Sequence, residues 1–132
     1  MREILFRGKR VDNDEWTEGF FFKSWNKVFL LWGMTGDSPN MEEVKPETVG
    51  QYTGFRDDQD VRIFEGDIVE VRYDDDTAYL TEVRADGNTL CVDVEGEEYD
   101  YTAVDFAVEK WRDEGCELRV ISNIYNNKEE EE

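Results

Sequence analysis

Carboxylates are the main candidates for chemistry in this chain, because its sequence contains no histidine. The absence of histidine removes the commonest general base near neutral pH and excludes histidine-based triads and zinc sites. The sequence also has no nucleotide-binding loop, nucleophile elbow or paired-cysteine metal motif. A carboxylate-dependent enzyme, the third alternative, would need a cleft that 132 residues struggle to enclose. We therefore expect no enzymatic activity, no catalytic residue and no cofactor.

Two runs of acidic residues, Asp57–Asp60 and Asp74–Asp76, could offer oxygen ligands to a hard cation such as Ca²⁺ or Mg²⁺. The first run lacks the ligand spacing and the sixth-position glycine of an EF-hand loop. Aspartates of this kind more often stand in solvated turns. We interpret both runs as solvent-exposed turns and expect no metal site.

Cys91 and Cys116 are the two cysteines of the chain. They are too few for a disulfide framework, and their separation does not fit a metal site. The plainer interpretation is a pair of reduced, partly buried thiols in a cytosolic protein. The sequence alone leaves a bridge between them open.

A basic cluster lies near the N-terminus, close in sequence to several aromatic residues. Basic residues interleaved with aromatics can bind single-stranded nucleic acid, so a nucleic-acid-binding module is the alternative function. The favoured interpretation is that these cations balance acidic residues within one chain or across subunits. The candidate interaction surface consists of Arg7, Lys9, Arg10, Trp16, Phe20 and Phe22.

The net charge of −19 is concentrated in one part of the chain. Residues 1–56 hold eight Lys/Arg and nine Asp/Glu, a net charge of −1, whereas residues 57–132 hold seven and 25, a net charge of −18. An acidic surface repels phosphate backbones and attracts basic proteins. We expect two partners: a second copy of the chain and a basic host protein. The simpler explanation of the charge is that it only keeps the protein soluble.

Short β-prone runs separated by turn residues predict a mainly β fold with one minor helix. In the first part, strands are predicted over residues 3–9, 16–23 and 27–32, as an antiparallel meander. The segment 33–40 is rich in turn residues and is predicted to be a loop. Three consecutive phenylalanines, Phe20–Phe22, indicate burial on both faces of a strand or a contact between subunits.

The second part of the chain is predicted to form a barrel or curled sheet with one helix. A short strand is predicted over residues 48–53, and a strand from Ile68 should place Val69 and Val71 on one face. Residues 79–84 and 89–95 are predicted to pair through an Asp86-Gly87 turn. Apolar spacing favours a helix over residues 102–111, capped by Thr102 and ended by Gly115, although strand alternation is the rival interpretation. A final strand is predicted over residues 116–121.

Three blocks of the sequence resemble the YopX family of phage and prophage proteins. The blocks are Arg2–Lys9 with Trp16 and Gly19, Pro46–Gly54 with Phe64–Val69, and Val120–Tyr125. Ser122 departs from the glycine that family members usually carry there. The resemblance supports an SH3-like barrel, because Glu65-Gly66-Asp67 is similar to the segment that opens such barrels. It implies no settled activity.

Nine residues of these blocks are interpreted as structural, serving turns, close backbone approach and attachment of the C-terminal residues. They are Pro46, Gly50, Tyr52, Gly54, Glu65, Gly66, Asp67, Asn123 and Tyr125.

Three regions are predicted along the chain: a β-meander lobe over residues 1–56, an SH3-like lobe over residues 57–125 and an acidic tail over residues 126–132. The longest apolar run, near Val28–Trp32, is far too short to span a membrane. No signal-peptide core follows Met1. We expect a homo-oligomer in the cytoplasm of a host bacterial cell.

Overall fold

The computed structural model describes residues 4–87, 89–92 and 102–125. These residues are mainly β with one α-helix, which confirms the predicted fold class. The chain divides into two compact units, Met1–Tyr52 and Thr53–Glu132. The division between the units falls within the strand Gly50–Arg56. The predicted boundary, after residue 56, lies at the end of that strand.

The first unit is an antiparallel sheet. Its strands are β1 (Phe6–Lys9), β2 (Trp16–Ser24), β3 (Lys27–Thr35), β4 (Ser38–Val44) and β5 (Gly50–Arg56), with a short 3-10 helix at Pro46–Thr48 before β5. The strand order is β4-β3-β2-β1-β5. The sheet curls until Arg10, just after β1, bridges Val44 of β4, and the Lys45 N–H donates to the Lys9 carbonyl at 2.8 Å. The curl encloses a small core of Val28, Leu30 and Val44.

The prediction of a loop over residues 33–40 is wrong, because this segment is the closed end of the hairpin formed by β3 and β4. Strand β3 continues to Thr35, and β4 begins at Ser38. Gly36 permits the tight turn by adopting a φ of +61°. Pro39 lies inside β4, which an edge strand tolerates because its outer N–H groups need no partner strand. Loop-like composition here reflects the edge position and not the absence of a strand.

The second unit contains the remaining strands and the helix. They are β6 (Arg62–Phe64), β7 (Asp67–Arg72), β8 (Ala78–Glu82), β9 (Arg84–Asp86), β10 (Thr89–Val92), β11 (Thr102–Ala103), α1 (Val104–Asp113) and β12 (Glu117–Asn123). Strands β12, β7 and β8 form one antiparallel sheet, and β11, β10 and β9 form another. Val69 and Val71 are both buried on one face of β7, which confirms the predicted alternation.

Helix α1 packs its apolar side into the core of the second unit. Val104, Ala107, Val108 and Trp111 are buried at helical spacing, which confirms the helix and excludes the rival strand. The Trp111 indole N–H donates to the Tyr79 hydroxyl at 3.0 Å. Gly115, with φ of +79°, follows the helix as predicted, since a left-handed residue satisfies the last carbonyls. The predicted Thr102 cap is wrong: Ala103 holds the N-cap position, and Thr102 lies in β11.

The predicted hairpin of residues 79–84 with 89–95 is wrong in its pairing. Strand β8 pairs with β7, whereas the separate strand β9 pairs with β10. The contact with β7 extends to Val83, whose N–H donates to the Asp67 carbonyl at 2.9 Å. Asp86 lies opposite Thr89 and is the last residue of β9, so Asp86 belongs to the strand and not to the turn. Residues 93–95 and the predicted tail 126–132 lie outside the described residues.

Gly19 allows β2 and β3 to approach closely, which generates a stability prediction. A Cβ at this position would lie 2.4 Å from the Leu31 carbonyl oxygen. We expect Gly19→Ala to lower the free energy of unfolding by about 2–3 kcal/mol, because backbone must shift to relieve the overlap. Urea denaturation measures the loss.

Gly8→Ala is the matched control. Its added Cβ would meet the Val44 side chain at 3.1 Å, and a side chain adjusts more easily than backbone. The Gly8 variant should therefore lose less stability. Equal denaturation midpoints for the two variants would contradict the close approach at Gly19.

Candidate interaction surface

The strand register brings most of the predicted interaction residues to one face of the first unit. Arg7 lies opposite Glu18, and Lys9 lies opposite Trp16. Because alternate residues of a strand share a face, Phe20 and Phe22 follow Trp16 on the same side of β2. This side of the sheet is thus a stripe that begins with two cationic residues, of which Lys9 is buried, and continues with aromatic rings.

Two of the cations stack on one indole ring. The Arg7 guanidinium carbon lies 4.6 Å from the Trp16 ring centroid, and the Lys9 ammonium lies 5.5 Å from it. Lys9 is only 3% exposed. Both distances fall in the range of cation–π attraction, so these charges help to order the first unit.

Arg10 does not belong to this stripe. Its guanidinium lies 2.9 Å from the Asp12 carboxylate and 3.1 Å from that of Glu42. The hydrogen bond to Asp12, supported by the charges of both carboxylates, raises the pKa of Arg10 above its ordinary value. Arg10 thus pairs with acidic residues of its own unit.

Beyond the cations, exposed apolar side chains continue across three strands. Phe20 lies opposite Leu31, which lies opposite Met41, and Phe22 stacks on Phe29 with ring centroids 5.3 Å apart. Phe20 is 60% exposed. The burial on both faces predicted for Phe20–Phe22 is therefore wrong, because β2 packs only one of its faces against the small core.

A β-bulge adds a second indole to the same side of the sheet. The register of β3 against β4 shifts between Leu31 and Gly33, so Trp32 is the extra residue. Trp32 is 53% exposed and, with Arg7, Trp16, Thr17 and Glu18, lines a groove of about 550 Å³. We call the apolar side chains of this side the outer face: Phe20, Phe22, Phe29, Leu31, Trp32, Met34 and Met41.

Sequence reasoning missed the β3 and β4 members of the outer face. Met34 and Met41 were hidden by the loop predicted over residues 33–40. Trp32 could not be placed by alternation alone, since the bulge changes which side a residue faces. The available signal was the turn at Gly36: in the hairpin it forms, Met34 pairs with Pro39 and Met41 pairs with Leu31. Pro39 and Met41 are alternate residues of β4, so both methionines share one face.

Four of the structural motif residues meet in the second unit. Gly66 adopts a φ of +93°, and the Tyr125 ring lies 3.0 Å from where a Cβ would stand. The Ile124 N–H donates to the Gly66 carbonyl at 2.9 Å. Asp67 lies opposite Asn123 in the β7–β12 pair.

Side-chain oxygens of Asp67 and Asn123 complete this junction. The Phe64 N–H donates to Oδ2 of Asp67 at 2.7 Å, and the Tyr125 N–H donates to Oδ1 of Asn123 at 3.0 Å. Glu65 lines a depression of about 250 Å³ beside Gly66 and Tyr125. The arrangement attaches the end of β12 to the turn before β7 through backbone groups.

The other motif residues lie elsewhere. Pro46 begins the 3-10 helix, where its missing N–H is not needed. Gly50 pairs with Arg7 across β1 and β5, and Tyr52 is buried further along β5. Gly54 has a φ of +92°, a left-handed conformation that favours glycine.

Comparison with known proteins gives a family. The chain matches the YopX family, described as YopX protein, over residues 6–130. This chain belongs to the YopX family. Neither the curated proteins nor the solved structures contain a match to it.

In this YopX-family chain, the first acidic run holds together the turn before β6 and the strand β12. Asp57 is 5% exposed. Its Oδ1 accepts hydrogen bonds from the N–H groups of Gln59 and Val61, each at 2.9 Å, and its Oδ2 accepts one from the Val120 N–H at 2.9 Å. The interpretation of Asp57 as a solvated turn residue is wrong.

Asp58 continues the same contact along β12. Its Oδ2 accepts from the Leu118 N–H at 2.8 Å, while its own N–H donates to the Leu118 carbonyl at 3.0 Å. These carboxylates bind the amides of the β12 edge that faces away from β7. Within the described ranges, no group of three or more potential metal ligands lies together.

The second acidic run is a solvent-exposed turn. Oδ1 of Asp74 accepts from the N–H groups of Asp76 at 2.8 Å and Thr77 at 2.7 Å. These backbone hydrogen bonds, that from Asp76 first, lower the pKa of Asp74 by favouring its charged form. The side chain thus stabilises the turn between β7 and β8.

Both cysteines are free and buried. Burial is the main cause that raises the pKa of the Cys91 and Cys116 thiols above their ordinary values. Neutral thiols react slowly with oxidants and metals.

Among the described residues, no helix has the length and apolar character needed to cross a bilayer.

Removing the Asp57 carboxylate tests its role in joining the turn to β12. Asp57→Ala leaves three backbone N–H groups without their acceptor, two in the turn and one in β12. We expect a loss of about 2–4 kcal/mol in the free energy of unfolding, measured by urea denaturation.

Asp75→Ala is the matched control, since Asp75 lies in the exposed turn of the second run. Its loss should stay within about 0.5 kcal/mol, as expected of an exposed surface substitution. If both variants unfolded at the same urea concentration, the Asp57 contacts would not contribute as described.

Proposed function

We propose that this YopX-family chain is a phage or prophage accessory protein that acts through protein–protein contacts and not by catalysis. Its first partner is a second copy of itself, bound through the outer face, in the cytoplasm of the host cell. The observation that carries the proposal is the exposed apolar surface of Phe20, Trp32 and Met34. Soluble domains rarely leave such a contiguous patch uncovered unless it binds something.

The size of the outer face supports a dimer of ordinary dimensions. Its partly exposed aromatic and methionine side chains offer on the order of 500 Å² of apolar area. A stable interface needs roughly 800 Å² from each partner, of which about 60% is apolar. A polar rim around the outer face would supply the remainder.

Charge also favours pairing through the first unit. Residues 1–56 carry a net charge of −1, whereas residues 57–132 carry −18. Two copies that meet through nearly neutral surfaces repel each other far less than copies that meet through the acidic residues. Self-association through the outer face is thus compatible with a strongly acidic chain.

The geometry gives less support to the alternative of nucleic-acid binding. Arg7 and Lys9 lie against Trp16, and Arg10 is paired with Asp12 and Glu42. A phosphate backbone would have to compete with these contacts and with the overall charge of −19. The aromatic part of the surface supports a protein partner more than a nucleic acid.

Polar replacement of the outer face tests self-association. In the double variant Phe20→Ser with Trp32→Ser, we expect the oligomer to dissociate at least tenfold more readily, because its apolar centre is lost. Sedimentation velocity over a concentration series measures this change, and circular dichroism checks that the fold persists.

Leu80→Ser is the control, because Leu80 is comparably exposed but lies on β8 in the second unit. This variant should associate like the parent chain. A monomeric parent, or a double variant that associates as tightly as the parent, would refute the outer face as the subunit interface.

The acidic residues support a second proposed partner, a basic host protein such as a nuclease or transcription factor. The supporting observation is that residues 57–132 hold 25 acidic residues against seven basic ones. For a purified basic partner, we expect Kd to rise at least tenfold between 50 and 500 mM salt, as exposed charges become screened. Titration calorimetry at both concentrations measures it, and an unchanged Kd would contradict a charge-based contact.

A further inference from the structure

Trp25 has an unfavourable backbone conformation and an unfavourable environment. It stands at the tip of the β2–β3 hairpin, where Ser24 lies opposite Lys27, and its φ of +59° is left-handed. Its residue surface is 94% exposed. The other described non-glycine residues with positive φ are Asp14 and Asp60, of a type that tolerates this region. A bulky indole does not, and such an outlier points to a function.

Two lysines flank this indole. Lys23 and Lys27 are exposed on opposite faces of the hairpin, and the Lys27 ammonium forms a long ion pair with the Glu43 carboxylate at 3.8 Å. We call Lys23, Trp25 and Lys27 the tip. It combines an apolar anchor with two positive charges, within a chain whose net charge is −19.

A surface of matching chemistry lies on the outward side of α1. Phe106 is 64% exposed there, although it stands in the middle of an otherwise polar helix face. It lines a depression of about 250 Å³ together with Glu109, Lys110, Asp113 and Glu114. We call this depression the α1 groove; it offers one aromatic ring, three carboxylates and one ammonium group.

We infer that the tip of one copy binds the α1 groove of a second copy. The Trp25 indole would pack against Phe106, and the two lysine ammonium groups would face the groove carboxylates. The apolar part of the tip matches the apolar part of the groove, and the positive charges of the tip match the carboxylates of the groove. Interfaces in which an aromatic anchor fills a pocket with a charged rim have this arrangement. This inference rests on the proposed self-association but uses a different surface from the outer face.

A contact between two unlike surfaces has a consequence for the assembly. When one tip fills one groove, one copy keeps an unused groove and the other an unused tip, so the contact either closes reciprocally within the pair or continues into a ring or an open filament. Outer-face pairing, in contrast, joins the same surface of two copies and ends at the dimer. Together, the two contacts would connect dimers into larger assemblies.

Photo-crosslinking from the tip tests the contact directly. Trp25→p-benzoylphenylalanine is introduced into the full chain, mixed with an isotope-labelled copy, irradiated and analysed by mass spectrometry. We expect crosslinks between copies that fall within residues 106–114. The same probe at Leu80 should not reach these residues preferentially. Crosslinks from position 25 to other segments, or only to added single-stranded nucleic acid, would overturn the inference.

Trp25→Gly provides a second measurement with opposite effects on stability and assembly. Because glycine accepts a positive φ, the melting temperature should rise by about 4 °C. Formation of assemblies beyond the dimer should weaken at least tenfold, and Phe106→Ser should weaken it similarly. A Trp25→Gly variant that assembles like the parent would contradict the tip–groove contact.

The failures of the two proposals can be distinguished. A parent chain that stays monomeric at all concentrations contradicts both. Loss of all association in the outer-face double variant, with normal assembly of Trp25→Gly, contradicts only the tip–groove contact. Assembly that depends on Trp25 and Phe106 but not on Phe20 and Trp32 contradicts only the outer-face dimer.

Discussion

The first unit depends on one constraint: its curled sheet can pack only one of its two apolar faces. Val28, Leu30 and Val44 fill the enclosed side, and the bridge from Arg10 to Val44 closes it. In β3 the side chains that alternate with Val28 and Leu30 are also apolar, namely Phe29 and Leu31, and among the described residues they belong to no core cluster of the first unit. Fold and proposed function therefore have the same origin, since the alternation that builds the core also exposes the outer face.

In the second unit, acidic side chains serve as hydrogen-bond acceptors for backbone N–H groups. Asp57, Asp58 and Asp67 accept hydrogen bonds from backbone amides, and Asn123 does the same beside Tyr125. A buried carboxylate that accepts several N–H groups is stabilised where an isolated charge would be costly. Part of the acidity is thus structural, and only the exposed remainder is available to a partner.

The sequence predicted the elements that follow from regular periodicity and failed where one contact overrides it. Alternation revealed β7, helical spacing revealed α1, and Gly115 marked the end of the helix. The end of the β3–β4 hairpin, over residues 33–40, was hidden because an edge strand tolerates proline and polar residues. The contact of Asp57 with β12 and the pairing of Arg10 with Glu42 depend on neighbours brought close by the fold, which local patterns do not contain.

The four tryptophans differ widely in solvent exposure, so their intrinsic fluorescence reports on different parts of the protein. Trp111 is buried and hydrogen-bonded to Tyr79 in the second unit, whereas Trp16, Trp25 and Trp32 belong to the first and include the most exposed ring. A small quencher in solution will reach the exposed indoles first and leave the Trp111 emission. Intrinsic fluorescence can thus follow the two units separately in the unlabelled protein.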